Sequence, residues 1–214
     1  MSTRRAKILL CVCGLLLAAI LWYTFFTSVE IANTPDPTAP AGPIIAFGDS
    51  LTEGYRVPSD ENYPAQLSRL IGRPVINEGV SGETAADALR RMDRDVLAQK
   101  PEIVLVLLGG NDLLQQLPLD RTFESLETVV RRCTDSGAMV VLIGVEGFSL
   151  MTPDYGKRFK ELAQKRKCLY IPNILHGIVT DPSLTVDAVH PNGKGYTVVA
   201  ERVAKALRPY LKHG

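Results

Sequence analysis

The sequence predicts an α/β fold in which five parallel strands carry helices on both faces. Five short apolar runs rich in Val, Ile and Leu alternate with longer amphipathic stretches. The runs are continuous rather than alternating, as in strands covered on both sides. The composition, 46% hydrophobic and 22% charged, supplies a core and excludes a disordered or low-complexity chain.

At about 150 residues per domain, 214 residues hold one globular domain and a further segment. That segment comes first. Arg4, Arg5 and Lys7, within a basic tail of residues 1–7, precede an uncharged stretch from Ile8 to Phe26. At about 1.5 Å per residue its length comes to roughly 28 Å, near the thickness of a bilayer's hydrocarbon. Trp22, Tyr23, Phe25 and Phe26 crowd its far end, where aromatic rings suit the headgroup region. Residues 8–26 therefore read as one N-terminal transmembrane signal anchor with the basic tail cytoplasmic, a cleaved signal peptide being the alternative. Residues 27–42 contain Pro35, Pro37 and Pro40 and read as a semi-rigid linker; the domain follows from 43 to 214.

Within the domain, strands are expected at Ile44–Phe47, Val75–Asn77, Ile103–Leu108, Met139–Val145 and Leu169–Ile171. Helices are expected at Tyr63–Ile71, Thr84–Ala98, Phe123–Ser136, Asp154–Lys167 and Gly195–Leu211. In the second of these, Ala85, Ala88, Leu89, Met92, Val96 and Leu97 recur at threes and fours, which places Arg90, Arg91, Asp93, Arg94 and Asp95 outward. The whole chain has 24 basic and 23 acidic residues, and the domain 21 of each, so no nucleic-acid partner is implied.

In such folds ligand chemistry gathers at the carboxyl ends of the strands. The first strand runs into Gly48-Asp49-Ser50-Leu51, which places Ser50 on a tight turn above the sheet. A serine hydroxyl needs a base, itself oriented by a third group. His190 supplies the base, and Asp187, three residues before it, can hold its Nδ1. The second strand ends in Val80-Ser81-Gly82-Glu83 and the third in Gly109-Gly110-Asn111-Asp112. The Gly82 amide and the Asn111 carboxamide, with the Ser50 amide, are candidate donors to an oxyanion. Taken singly, Ser50 is an ordinary helix cap and Gly82 and Asn111 ordinary turn residues; the ordered set is what points to catalysis.

Ser50, Gly82, Asn111 and His190 resemble, in order, the four residues that name the SGNH hydrolases, or GDSL esterase/lipase family. The resemblance spans about residues 43–210 and is nearest to the small bacterial thioesterase I, lysophospholipase and arylesterase type. It implies a flavodoxin-like three-layer sandwich with a five-stranded parallel sheet. It also implies serine-dependent hydrolysis of carboxylic esters or thioesters, with Ser50 as nucleophile, His190 as base, Asp187 as its orienter, and Ser50, Gly82 and Asn111 as the oxyanion hole. The alternatives are an O-acetyl esterase or O-acetyltransferase acting on envelope glycans, and a non-catalytic binding domain of the same fold. The Gly-x-Ser-x-Gly elbow of other hydrolases is absent around Ser50.

Leu113, Leu114 and Leu117, in an expected loop, either line an acyl groove or simply pack, with Glu146 and Phe148 on the opposite wall. Asp49 and Asp112 read as turn-stabilising carboxylates, and His176 as a loop histidine. No metal and no cofactor are expected. The expected partners are a small-molecule or lipid ester and, through residues 8–26, a membrane. A monomer is expected, single-pass in a bacterial inner membrane with its domain in the periplasm or outside, or secreted to the periplasm if the segment is cut. Cys133 and Cys168 are placed away from the site, as a disulfide or as free buried thiols.

Overall fold

The computed structural model describes residues 30–145 and 154–211. The segment 8–26 read as an anchor lies outside the described residues. Among those described, no helix is long and apolar enough to cross a membrane.

Five strands appear where the apolar runs predict them: β1 (Ile44–Gly48), β2 (Val75–Gly79), β3 (Ile103–Leu107), β4 (Met139–Ile143) and β5 (Leu169–Ile171). All pair in parallel, in the order β2-β1-β3-β4-β5. The inner strands β1, β3 and β4 are buried along their whole length, which explains their uninterrupted Val, Ile and Leu. The edge strands β2 and β5 keep partial exposure, and β2 accordingly admits Asn77 and Glu78.

Between the strands lie α1 (Ser50–Glu53), α2 (Tyr63–Ile71), α3 (Ala85–Asp95), α4 (Gly110–Leu114), α5 (Leu119–Asp135), α6 (Tyr155–Arg166) and α7 (Gly193–Leu207). The step from β1 to β2 runs one way across the sheet and every later step runs the other. Right-handed crossovers therefore put α2 on one face and α3, α5 and α6 on the other. The packing agrees, since α2 meets α7, α3 meets α5, and α5 meets α6.

Helix ends follow local chemistry. Thr84 caps α3 in a reciprocal box with Asp87. Past Asp95 the expected helix tightens into a 3₁₀ turn, Leu97–Gln99, and Arg208-Pro209-Tyr210 does the same after α7. The expected loop from Leu113 to Leu119 is instead α4, a short turn, and the start of α5, whose first residue follows Pro118 directly.

The Pro-rich stretch read as a linker begins with residues fixed to the domain. Ile31 packs on the core, and the Ala32 amide donates to the Lys167 carbonyl at 2.8 Å. The Asn33 carboxamide donates to the carbonyls of Thr134 and Ala138, at the end of α5 and the start of β4. These contacts lie at the amino ends of the strands. Cys133 and Cys168 are free, buried thiols, and burial pushes both up to about 12.

The close approach of β2 to α1 is a constraint of position. A methyl at Gly79 would stand 2.1 Å from the Glu53 nitrogen and 2.7 Å from the Thr52 carbonyl carbon. Gly79→Ala is therefore expected to cost about 1–3 kcal/mol, seen as a thermal melt lowered by roughly 2–12 °C. An unchanged melting temperature would contradict this packing.

Candidate active site

The carboxyl end of β1 turns at once into α1. Asp49 caps the helix by accepting the Leu51 amide at 3.0 Å, so Ser50 is the first helical residue rather than the cap. Gly54, in the left-handed region at φ 93°, ends the turn. Ser50 is buried except for a small opening, and its carbonyl accepts the buried Tyr196 hydroxyl at 3.4 Å.

His190 arrives from the far end of the sequence on a short loop closed by a bridge between Thr185 and Pro191 and by a hydrogen bond from the Val186 amide to the His190 carbonyl. Its Nε2 lies 2.9 Å from Ser50 Oγ, and its Nδ1 lies 3.0 Å from each oxygen of Asp187. Asp187 Oδ1 also accepts the amides of Val189 and His190. Partial burial alone would push the Asp187 carboxyl up, but the hydrogen bonds from those amides and from the ring outweigh it and hold the group below its ordinary value. The Tyr55 ring stacks obliquely on the imidazole, 4.6 Å between centroids, with the Arg56 guanidinium over Tyr55 in turn. Nothing in the residue pattern singled out Tyr55.

The ends of β2 and β3 flank this line. Gly82 is exposed at φ 83°, a conformation that favours glycine, and a Cβ there would meet nothing within 4 Å. A ligand can therefore come close to the backbone at Gly82. Asn111 lies in α4, and its Nδ2 donates one hydrogen to the Glu83 carbonyl at 2.9 Å. The carboxamide keeps a second hydrogen, and its plane is fixed by the first. Gly109, at φ 103°, lets β3 turn into α4, and its carbonyl accepts the Tyr155 hydroxyl at 2.6 Å.

Ser50, His190 and Asp187 are thus brought into one hydrogen-bonded line, with Gly82 and Asn111 on the two adjoining strand ends. The apolar candidates divide: Leu113 packs against the core, while Leu114 and Leu117 are exposed. Glu146 and Phe148 lie outside the described residues. His176 sits on an exposed turn, its amide donating to the Asn173 carbonyl.

The Asp112 carboxylate accepts its own amide, as a turn-stabilising residue should, and it also reaches across: its Oδ2 accepts the Ala85 amide at 2.9 Å and so ties the loop after β3 to the start of α3. Two residues of α3 do not face outward as expected: the Arg91 side chain is only 10% exposed and turned toward the strand ends, and Asp95, bonded beside it, is only 13% exposed. The apolar repeat of α3 marks which face meets the core, but not that a long side chain at the edge of that stripe can reach back over it.

Asp49 and Asp112 are both buried. Burial first, then the negative charges of Asp112 and Glu83, raise the Asp49 carboxyl from 3.8 to about 7. Below the ordinary value both folded and unfolded chains hold the proton and the penalty vanishes; it grows as pH rises and is complete above about 7. Asp49→Asn keeps an acceptor for Leu51 and removes the charge. Its melting temperature should exceed the parent's at pH 8, with the gap closing toward pH 4. A gap independent of pH would show that Asp49 carries no such penalty.

Comparison with known proteins gives the geometry its lineage. An arylesterase of Vibrio mimicus is 30% identical over 182 residues, 78% of this chain and 89% of that protein. A thioesterase 1/protease 1/lysophospholipase L1 of Escherichia coli K12 is 27% identical over 186 residues, 82% of this chain and 88% of its own. The crystal structure of TesA superposes with a TM-score of 0.74 at 23% identity, covering 78% of this chain and 99% of that one, which shows a common fold. A family model matches residues 46–198, a span that holds Ser50, Gly82, Asn111, Asp187 and His190, and the chain belongs to the GDSL-like Lipase/Acylhydrolase family.

Proposed function

We propose that the chain hydrolyses carboxylic esters or thioesters through an acyl-enzyme on Ser50. The 2.9 Å contact from Ser50 Oγ to His190 Nε2 carries this reading, with Asp187 holding the other ring nitrogen. His190 takes the Ser50 proton as Oγ attacks the carbonyl carbon, and the carbonyl oxygen becomes an oxyanion facing the Ser50 and Gly82 amides and the free Asn111 hydrogen. Collapse expels the alcohol or thiol, which receives the proton from His190. Water, deprotonated by the same imidazole, then attacks the acyl carbon and releases the acid and Ser50. Asp187 fixes the tautomer and stabilises the imidazolium formed twice per turnover. The groups named suffice for both steps without metal or cofactor, and a monomer contains them all.

The acyl group is assigned to the apolar rim. Of the five exposed large apolar residues among those described, four lie on the segments that follow the strand ends or flank Asp187: Val80 after β2, Leu114 and Leu117 after β3, and Val186 beside Asp187. This supports an apolar acyl chain, from a small-molecule or lipid ester, resting on Leu114 and Leu117, with Leu113 packed on the core beside them. The uncharged stretch 8–26 supports a single-pass anchor in a bacterial inner membrane, with the domain in the periplasm or outside.

Hydrolysis of p-nitrophenyl esters from acetate to palmitate by the full chain tests the chemistry. Ser50→Ala and His190→Ala should each cut kcat by at least about a thousandfold without unfolding the protein. Near-parental activity in either would sink the mechanism. Replacing Leu114 and Leu117 together with Ser should shift the chain-length profile toward short acids; an unchanged profile would remove them from the acyl site. For the anchor, the mass of the membrane-extracted protein should match an intact N-terminus, whereas loss of the first residues would mean a cleaved signal.

A further inference from the structure

One partly buried cation of α3 stands behind the loops that carry the candidate oxyanion donors. Arg91 Nε donates to Glu83 Oε2 at 2.7 Å, Nη1 to Asp95 Oδ2 at 3.2 Å, and Nη2 to the carbonyls of Gly48 at 3.2 Å and Glu78 at 3.0 Å. Its Cζ lies over the Phe47 ring, 4.6 Å from the centroid. Four of the five guanidinium N–H groups are thus engaged.

The partners are where the argument lies. Gly48 is the last residue of β1, two before Ser50. Glu78 and Glu83 bracket the turn that bears Gly82. The Glu83 carbonyl in turn receives the Asn111 side chain. One planar fork therefore grips the strand end leading to Ser50 and both sides of the Gly82 turn, and through Glu83 it reaches Asn111. Glu83 and Asp95 balance its charge, so its contribution is geometric rather than a field on the substrate.

We propose that Arg91 is the positioning residue of the oxyanion site, setting the spacing between the Ser50 and Gly82 amides and the tilt of the Asn111 carboxamide. The inference rests on the reading of those three groups as oxyanion donors. Negative charge on the substrate oxygen develops only in the transition state, so donors held at the wrong spacing slow the reaction while ground-state binding is kept. Lysine retains the charge and most of the stem, but a single ammonium cannot hold two carbonyls and a carboxylate in one plane.

Steady-state kinetics of the full chain on p-nitrophenyl butyrate, with Arg91→Lys, Arg91→Ala and Ser50→Ala, test this. Both Arg91 variants should lose about tenfold to a hundredfold in kcat with KM held within about threefold. Arg91→Lys should melt within a few degrees of the parent, and guanidinium ion added at millimolar levels should restore much of the kcat of Arg91→Ala. Parental kcat in Arg91→Lys, or a loss confined to KM, would overturn the proposal. So would a folded Arg91→Ala that guanidinium leaves unrescued. If Arg91→Ala fails to fold, the split between kcat and KM in Arg91→Lys decides. Activity surviving in Ser50→Ala would instead refute the serine mechanism, a separate outcome read from a separate variant.

Discussion

The carbonyl of Gly48 accepts two hydrogen bonds, one from the Val80 amide at 3.1 Å and one from Arg91 at 3.2 Å. At this junction two adjacent parallel strands stop pairing with each other and become loops. A parallel sheet leaves the carbonyls at its carboxyl edge without strand partners, and buried polar groups must find others. Here they find the amide of the next loop and a guanidinium from the crossover helix. The arrangement of Ser50, Gly82 and Asn111 follows, because each residue begins within a few positions of a strand end tied in this way.

The same region is loaded with groups that oppose folding. Asp49 is a buried carboxyl raised to about 7, with a second buried carboxyl, Asp112, near enough to raise it further. Three buried tyrosines, Tyr63, Tyr155 and Tyr196, feel the Asp49 charge and are themselves raised, chiefly by burial. All of these groups but Tyr63, whose buried hydroxyl finds no hydrogen-bond partner among the described residues, serve a connection. Asp49 holds the first turn of α1, Asp112 the first amide of α3, Tyr155 the Gly109 turn and Tyr196 the Ser50 carbonyl. An apolar core of the same shape would fold more comfortably and leave these loops unspecified. The site is held by polar contacts that the uninterrupted apolar packing of β3 and β4 can support.

What was legible in the residues divides along that line. The strands β1, β3 and β4 were readable because burial on both faces leaves unbroken apolar runs, and the order Ser50, Gly82, Asn111, His190 because each sits just after such a run or closes the chain. Helix starts set by a side-chain cap before a long amphipathic run were legible at α2 and α3, capped by Asn62 and Thr84, whereas Asn192 starts α7 at Gly193, two residues before the expected Gly195. The short helix α4 was not, since it is held by its neighbours: the Asn111 and Asp112 side chains bond Glu83 and Ala85, across a separation of 27 or 28 residues. Arg91 departs from the helical pattern for a related reason. Helical periodicity assigns a direction to Cβ, and a side chain as long as arginine ends wherever its strongest acceptors lie. The docking of Ile31, Ala32 and Asn33 was also hidden, because proline content speaks of backbone stiffness and not of what the flanking residues touch.

Charge in this domain is settled locally, and that bears on what the site can select. With 21 basic and 21 acidic residues from position 43 onward, no long-range field draws in a charged substrate. Near the site, Arg91 is matched by Glu83 and Asp95. Arg56 sits over the Tyr55 ring, which itself stacks on the imidazole. In the proposed reaction a neutral carbonyl is therefore distinguished from water and from other solutes by two short-range means: donors spaced for an oxygen that gains charge, and apolar contact along the rim. The first acts on the reaction centre and is common to esters and thioesters alike. On the proposed reading, discrimination between acyl groups is left to the second, to the exposed apolar side chains of Leu114 and Leu117, which make no hydrogen bond and can change without disturbing the frame.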